Sequence, residues 1–329
     1  MKKIIGIAAL TCACSAVQAE TLEVAGVFAA EANMDARVQT IAVEGFGGDA
    51  GPELSFLLSD ALSAIEIEGQ NWFSLVPAAT LADLHASEND LGGEYGGDKT
   101  SNKNRLGSMA LLQGSARTES WVNSAGTKKV ISCGKKENGD CVEKREDVYQ
   151  CIMLNVGYRP TVRLFASDGR LLYENSEYLE SYEKSCDDEV GSPSPHVLLD
   201  SLAQQYARSV RRDLAPQFRS ANVRLLERRK GMSKEDARSF KEAVRLTKTD
   251  PIAACRAFET LESTNRAHVS VLFNIGLCRE SEDDLGQARD YYTRTLDIDS
   301  GKDQAQAGLD RIMSRMIARH QVSEHFSSY

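Results

Sequence analysis

The sequence predicts an α+β domain, that is, an α/β layer domain with a mixed sheet, followed by a second, all-α domain of helical hairpins. Strand-like runs alternate with amphipathic helical runs between residues 38 and 116, which is typical of helices packed on a sheet. Longer strand-like segments joined by turns follow between residues 117 and 182. Beyond residue 232 the apolar residues recur at helical spacing. These three observations together predict the two domains.

The composition is that of a globular protein. The 329 residues are 42% hydrophobic and 26% charged, with 24 Gly and 7 Pro, which excludes a disordered, collagen-like or coiled-coil chain. The mean hydropathy of −0.36 and the lack of a sustained apolar run outside the N-terminus exclude a polytopic membrane protein. There are 39 Lys and Arg against 48 Asp and Glu, a net charge of −9, so nucleic acid is not an expected partner.

Residues 1–19 have the organisation of a cleaved secretory signal peptide. Lys2-Lys3 is the positive segment, Ile4–Ala13 the apolar segment, and Val17-Gln18-Ala19 the small-residue cleavage site. The apolar run is about half of the roughly 20 residues that a membrane-spanning helix needs. We therefore expect an exported protein with a periplasmic or outer-membrane-associated location.

The first part of the α+β domain alternates strands and helices. Val38–Glu44 is expected to be a mostly buried strand, and Gly45–Gly51 the turn after it. Pro52 suits the first position of a helix, and the apolar residues after it recur at helical spacing. The other elements expected here are a helix between 54 and 65, a strand at Trp72–Pro77, a helix at Ala79–Ala86, a surface loop at Gly92–Arg105 and a strand at Ala110–Ala116.

Longer strands dominate after Arg117. Ser167-Asp168-Gly169 predicts the turn of a hairpin, and the alternation of apolar residues around it predicts strands with one buried face. The strands expected here are Thr118–Val122, Lys128–Cys133, Cys151–Phe165 and Leu171–Tyr182. A third helix, between 198 and 210, ends before Ala215-Pro216. Val223–Glu227 is a candidate closing strand.

This order of elements resembles the curli-secretion-channel (CsgG-type) family and the similarly folded lipoprotein activators of penicillin-binding proteins. The resemblance covers residues 36–226. The segments that carry it are Ile41–Phe46, Leu58–Ser63, Trp72–Val76, Met109–Gly114 and Val162–Leu172. It implies a CsgG-like α/β domain that works in the cell envelope without catalysing a reaction.

Cysteine usage predicts disulfide bonds. Two of the eight cysteines, Cys12 and Cys14, lie in the predicted signal peptide, where they leave lipid attachment open. The six others are Cys133, Cys141, Cys151, Cys186, Cys255 and Cys278. Six cysteines in an exported chain suggest three disulfides, and their connectivity stays open. The spacing lacks the short pairs that zinc sites favour, so no metal is expected.

The C-terminal domain, residues 232–318, has an internal period. At an offset of 34 residues, Ala254 and Phe258 align with Ala288 and Tyr292. This offset is the length of a tetratricopeptide repeat, so the domain resembles a short array of such repeats. The elements expected after the repeats are a capping helix at 304–318 and a flexible tail at 319–329.

The resemblance to tetratricopeptide repeats implies a concave groove for a partner protein, lined by the first helix of each repeat. By this analogy the best groove residue is Asn274, with Lys241 and Phe273 behind it. A repeat pair is fewer than the usual three, so a bracket that only packs on the first domain is the alternative. The architecture also implies that Cys255 and Cys278 lie on touching helices, where a disulfide would compensate for the short array.

A basic stretch joins the two domains. It consists of Arg208, Arg211, Arg212, Arg219, Arg224, Arg228, Arg229 and Lys230. In an acidic protein such a run could bind anionic lipid or an anionic polymer of the envelope. The alternative is a solvated helix face whose long side chains cover apolar surface.

One glycine-rich turn matches a nucleotide-binding pattern. Gly45-x-Gly47-x-x-Ala50 follows a strand and precedes a helix, as in dinucleotide-binding folds. The acidic residues about twenty positions on, Glu66 and Glu68, precede the second strand instead of ending it. The pattern is therefore more typical of a plain turn. The acidic segment Asp187–Glu189 beside Cys186 could attract a cation but is more typical of a solvated turn.

Two functional hypotheses follow. In the first, the protein is a non-enzymatic, exported envelope protein, alone or as an oligomer, that recruits protein partners in secretion, surface assembly or cell-wall synthesis. This hypothesis assigns no catalytic residues and no cofactor. The alternative is a nucleotide- or small-ligand-binding protein, or an enzyme, that uses the Gly45–Ala50 turn.

Overall fold

A computed structural model of the chain describes residues 20–32, 37–90, 106–189 and 194–327. The protein is α+β, as predicted, with helices and a mixed sheet. It divides into two units: a helical unit of residues 1–27 with 218–316, and a sheet unit of residues 28–217 with 317–329. The predicted signal peptide, with Cys12 and Cys14, and the predicted loop Gly92–Arg105 lie outside the described residues.

The sheet unit is built on six strands. They are β2 (Thr40–Val43), β5 (Ser74–Pro77), β6 (Met109–Glu137), β7 (Asp140–Ala166), β8 (Leu171–Ser176) and β9 (Leu179–Cys186). β5 and β6 run parallel to β2 on either side of it, and β7 runs antiparallel to β6. β8 and β9 pair one after the other along the far edge of β7. Two short strands, β3 (Glu66–Ile67) and β4 (Gln70–Asn71), form a separate ribbon.

Helices pack on both faces of the parallel part of this sheet. α1 (Gly51–Ser63) and α3 (Pro195–Leu214) share the main core with one face, and α2 (Ala78–Asp90) lies on the other. Successive residues of β2 pack on opposite faces of the sheet, because neighbouring side chains on a strand point in opposite directions. Ile41 belongs to the main core, whereas Ala42 belongs to a smaller cluster with Leu81 of α2.

The helical unit consists of consecutive helices and a two-stranded ribbon. The helices are α4 (Lys234–Leu246), α5 (Pro251–Glu262), α6 (Val269–Ser281), α7 (Leu285–Ile298) and the first part of α8 (Asp303–Ser327). The ribbon pairs β1 (Thr21–Phe28) with β10 (Gln217–Arg224). α4 packs on α5, α5 on α6 and α6 on α7, and their core includes Leu22 and Val24 of β1.

Side-chain caps explain where α4, α5 and α7 begin. Ser233, Asp250 and Asp284 each accept a hydrogen bond from the backbone N–H three residues further on, at 3.0, 2.9 and 3.1 Å. Such bonds satisfy amides that have no partner within the helix. Pro251 also suits the first turn of α5, because its backbone angle is already helical.

β6 and β7 are longer than the sequence predicts. Separate strands were expected at Thr118–Val122 and Lys128–Cys133, but β6 is continuous over 29 residues and β7 over 27. A bulge shifts the register between Ser124 and Thr127, where Gly126 has a φ of 79°. A bulge interrupts the alternation of side chains without ending the strand, and this is why the pattern suggested two strands.

Two predicted boundaries also differ from the structure. Residues 218–226, expected in the α/β domain, group with the helices, because β10 pairs with β1. Residues 319–327, expected in a flexible tail, are helical. His325 is 2% exposed and stacks on Trp72 with ring centroids 3.8 Å apart. This stacking and the packing of Phe326 against the main core hold the end of α8 in the sheet unit.

Candidate interaction surfaces

The hairpin of β6 and β7 extends beyond the rest of the sheet. β2 pairs with β6 only as far as Leu112, and β9 pairs with β7 only from Cys151 onward. We call residues 119–152 the hairpin arm. Within the described chain, β6 has no strand neighbour along the arm other than β7. At about 3.3 Å per residue the β6 side of the arm is on the order of 60 Å long, and one of its edges has unpaired backbone groups.

Five β-branched side chains form an apolar stripe along the arm. They are Val122, Ile131, Val142, Val148 and Ile152, and they are 57, 67, 54, 53 and 41% exposed. Strand pairing places all of them except Val142 on one face, because Val122 lies opposite Leu154 and Ile131 opposite Glu146, and residues two apart on a strand share a face. Val142 lies at a register shift near the tip of the arm. Leu154 is 4% exposed. The apolar stripe therefore continues the core face of the sheet beyond the helices that cover it in the described chain.

The opposite face of the sheet near the arm is held by polar contacts. The guanidinium carbon of Arg159 lies 3.9 Å above the centre of the Tyr178 ring. Glu119 accepts hydrogen bonds from Tyr178 at 2.9 Å and from Arg159 at 3.1 Å. Both hydrogen bonds lower the pKa of Glu119, and the bond from Tyr178 has the larger effect. The charged and aromatic side chains described on this face therefore have one another as hydrogen-bond and cation–π partners.

The six cysteines form three disulfides, as predicted. Cys133 is joined to Cys141, Cys151 to Cys186 and Cys255 to Cys278. The first disulfide closes the tip of the hairpin arm, the second joins β7 to β9, and the third joins α5 to α6. Disulfides persist in oxidising compartments, so they indicate an exported protein.

The acidic turn after β9 is neutralised within the chain. Nζ of Lys128 lies 2.9 Å from Asp188 and 3.1 Å from Glu189. Hydrogen bonds to these two carboxylates raise the pKa of Lys128. Ligand atoms of Cys186, Asp188 and Glu189 lie within 4.8 Å of one another, but the sulfur of Cys186 is in a disulfide and is not a thiolate ligand. The turn therefore attaches β9 to β6 by ion pairs.

The predicted groove residues do not lie together on a surface. Lys241 is exposed, but Phe273 is 0% and Asn274 1% exposed. The amide of Asn274 accepts a hydrogen bond from the backbone N–H of Leu226 at 2.9 Å and donates one to its carbonyl at 3.0 Å. Asn274 thus holds the segment after β10, and both of its polar groups are used within the chain.

A buried ion pair lies between α6 and α8 in the helical unit, and sequence reasoning did not find it. Glu280 is 0% exposed, and its carboxylate accepts hydrogen bonds from Tyr292 at 2.7 Å and from Arg311 at 2.8 and 2.6 Å. Burial, with the nearby Glu280, raises the pKa of Tyr292 well above its usual value. The repeat alignment singled out Tyr292, but no sequence signal connects Glu280 to Arg311, which is 31 residues away.

The Gly45–Ala50 turn is bonded to β6. The N–H of Gly47 donates to the carbonyl of Gly114 at 3.0 Å, and the N–H of Ala50 donates to the carbonyl of Ala116 at 3.3 Å. A dinucleotide site needs amides of this turn and of the following helix start to face the pyrophosphate. Because these two amides are already bonded, the arrangement disfavours the nucleotide-binding alternative.

Carboxylates at the start of α1 also disfavour a bound phosphate. Asp49 precedes the helix, and a hydrogen bond from Thr118 lowers its pKa, so it carries a negative charge at neutral pH. Glu53 lies in the first turn, where burial and the neighbouring Asp200 raise its pKa. A phosphate at this helix start would meet the negative charge of Asp49.

The basic stretch is divided between the two units. Arg208, Arg211 and Arg212 lie on α3 in the sheet unit. Arg219 and Arg224 lie on β10, and residues 228–230 lie between β10 and α4, in the helical unit. The three arginines of α3 line a groove of about 650 Å³. The stretch is thus not one continuous element.

Comparison with known proteins assigns no family to the chain. No family model matches it, and no curated protein matches it. Among the described helices, none combines the length and the apolar character required to cross a membrane.

Proposed function

We propose that this protein is a non-enzymatic scaffold of the cell envelope, in the periplasm or at the outer membrane. It recruits a protein partner in secretion, surface assembly or cell-wall synthesis, and the apolar stripe on the hairpin arm is the binding surface. That stripe is the single observation that supports the proposal most. The CsgG-like identity of the sheet unit and the tetratricopeptide-like identity of the helical unit are part of the proposal.

The apolar stripe is unfavourable for a protein that works alone. A two-stranded ribbon without a covering layer buries little apolar surface and is marginally stable in water. Here five β-branched side chains of the arm are exposed, on the order of 400 Å² in total, which is within the range of functional patches. The disulfide between Cys133 and Cys141 keeps the arm closed at its tip. The arm is therefore stabilised by covalent bonds and ion pairs, while its apolar face is available for binding.

The size of the apolar stripe favours a reversible protein partner. A stable interface buries about 800 Å² on each side, roughly twice the area of the stripe. A permanent dimer of this chain would need a larger apolar surface than the arm offers. The partner should therefore place an apolar strand or helix face on the stripe and dissociate without unfolding.

The helical unit is not assigned a peptide groove in this proposal. Gly276 approaches Tyr292 so closely that a Cβ at Gly276 would lie 2.9 Å from the Tyr292 ring, which is the close helix approach that tetratricopeptide repeats require. Because Phe273 is buried and Asn274 binds Leu226, we do not place the binding surface for the partner on these helices.

Site-specific photocrosslinking tests the proposal. A photoreactive amino acid replaces Val148 on the apolar stripe or, as a control, Tyr182, which is 71% exposed and lies on the opposite face because it pairs with Asn155. We expect a defined adduct with a second protein from Val148 and not from Tyr182. Equal adducts from both positions, or an adduct of twice the mass of this chain, would contradict recruitment of a different protein.

A matched pair of variants tests whether the same surface is needed. Ile131→Glu with Val148→Glu should abolish the adduct captured from a third stripe position, Val122. Val197→Glu should leave that adduct unchanged, since Val197 is 65% exposed but lies on α3. Retention of the complex in the double variant would rule out the apolar stripe as the binding surface.

A further inference from the structure

The groove beside α3 is lined mainly by hydrogen-bond donors. Its volume of about 650 Å³ is within the range of small-molecule sites. Three arginines and two glutamines contribute to its lining together with one carboxylate. These residues are Arg208, Arg211, Arg212, Gln205, Gln217 and Glu177.

The helix geometry concentrates these donors. Gln205, Arg208 and Arg212 recur at positions i, i+3 and i+7 of α3, so they share one face of the helix. Arg208 and Arg212 are exposed and Arg211 is half-buried. A guanidinium group has five N–H donors and no acceptor, so an anion that enters the groove meets donors from successive turns of one rigid element.

The three arginines lack carboxylate partners in the described chain. Their side chains make one hydrogen bond there, from Arg212 to the hydroxyl of Ser209 at 3.2 Å. On the sheet of the same unit, by contrast, Arg163 is paired with Glu174 at 2.8 Å. The groove lining has three positive charges and one negative charge, that of Glu177. Its net charge is therefore 3 − 1 = +2, in a chain whose net charge is −9.

We propose that this groove binds a phosphate monoester, as the headgroup of a phospholipid or as a soluble organic phosphate. A phosphate monoester carries nearly two negative charges at neutral pH, which matches the net charge of the lining. The planar guanidinium group also forms paired hydrogen bonds with phosphate oxygens. Of the predicted basic stretch, only the three arginines of α3 belong to this site. The site does not depend on the hairpin arm.

Binding of two probes to the full mature chain tests the proposal. The first probe is glycerol 3-phosphate, followed by calorimetry. The second is a phosphatidylcholine vesicle that contains about one fifth phosphatidic acid, with pure phosphatidylcholine as the reference. Binding of the soluble probe identifies a free phosphate ligand, and binding of the acidic vesicle alone identifies a lipid headgroup. Binding of neither probe would overturn the proposal.

Two triple variants with the same loss of charge separate a site from general attraction. Arg208→Gln, Arg211→Gln and Arg212→Gln together should weaken binding on the order of a hundredfold, since each basic residue contributes about fivefold. The control set, Arg224→Gln, Arg228→Gln and Arg229→Gln, lies outside the groove and should change binding by less than about threefold.

A charge-conserving variant completes the test. Replacing Arg208, Arg211 and Arg212 by Lys keeps the net charge but removes the paired hydrogen bonds, so we expect intermediate binding. Equal weakening by the groove and control sets would show diffuse attraction and refute the site. Far-UV circular dichroism and thermal unfolding of each variant confirm that it is folded, and the lysine variant supplies the answer if the glutamine variant does not fold.

Discussion

Gly308→Ala is expected to destabilise the helical unit, although alanine is the better helix former. Gly308 lies on α8 against the ring of Tyr292. A Cβ at this position would be 2.7 Å from Cδ2 and Cζ of that ring. The ring cannot move away, because a Cβ at Gly276 would be 2.9 Å from its Cδ1 and Cε1, so α6 blocks its other side. The Tyr292 hydroxyl is also fixed by its hydrogen bond to Glu280 at 2.7 Å.

The expected magnitude is the difference between two effects. Alanine in a helix is favoured over glycine by about 1 kcal/mol. Forcing a methyl group into a closely packed core costs roughly 1–3 kcal/mol, and the upper part of this range applies because Tyr292 is 0% exposed. We therefore expect a net loss of about 1–2 kcal/mol, and a fall in Tm of roughly 5–10 °C for a unit of this size.

Gly286→Ala is the matched control. Gly286 lies on α7, and the nearest heavy atom to a Cβ there is a carboxylate oxygen of Asp284 at 3.8 Å, an ordinary contact. This variant should be as stable as the original protein or slightly more so. Thermal unfolding by far-UV circular dichroism, with hydrogen exchange of α8 peptides to localise the effect, provides the measurement. If Gly308→Ala is as stable as Gly286→Ala, the packing described for Tyr292 is incorrect.

Three further predictions concern the helical unit. Glu280→Ala leaves Arg311 and the Tyr292 hydroxyl without their buried partner. The free energy of unfolding in urea should therefore fall by about 3–5 kcal/mol. An unchanged unfolding midpoint would contradict the ion pair. Replacing Cys255 and Cys278 together by Ala opens a loop with a sequence separation of 23. Under oxidising conditions the free energy of unfolding should fall by about 3 kcal/mol. In reductant the variant and the original protein should be equally stable. Burial, assisted by repulsion from Arg228, lowers the pKa of His268 from 6.5. The unfolded chain therefore binds more protons than the folded one, and the free energy of unfolding should rise with pH up to about 6.5. The same pH profile in His268→Gln would refute this contribution.

Local features of the fold were predictable because their causes lie within a few residues. The caps Ser233, Asp250 and Asp284 accept hydrogen bonds from backbone N–H groups three residues away. The residue that favours each helix start therefore lies at that start. The cysteine count of an exported chain predicted three disulfides, and three are present. The alternation of strand and helix patterns likewise predicted the α+β class.

The hairpin arm shows where such local reasoning fails. The apolar alternation around Val148 and Ile152 has the same pattern as a strand that is covered by helices. Only the order of strands shows that β2 pairs with β6 no further than Leu112 and that the apolar stripe continues without a covering layer in the described chain. Exposure depends on what packs above a strand, and that is decided by distant segments.

By itself, the sequence determined the class of fold and the oxidised state of the cysteines. Tertiary structure decided that Asn274 binds Leu226, 48 residues away, that Glu280 pairs with Arg311 on another helix, and that His325 stacks on Trp72, 253 positions earlier. The physical reason is range: helix-capping hydrogen bonds and backbone preferences act between near neighbours in the chain. Burial of a polar or apolar group depends on which remote surfaces come together.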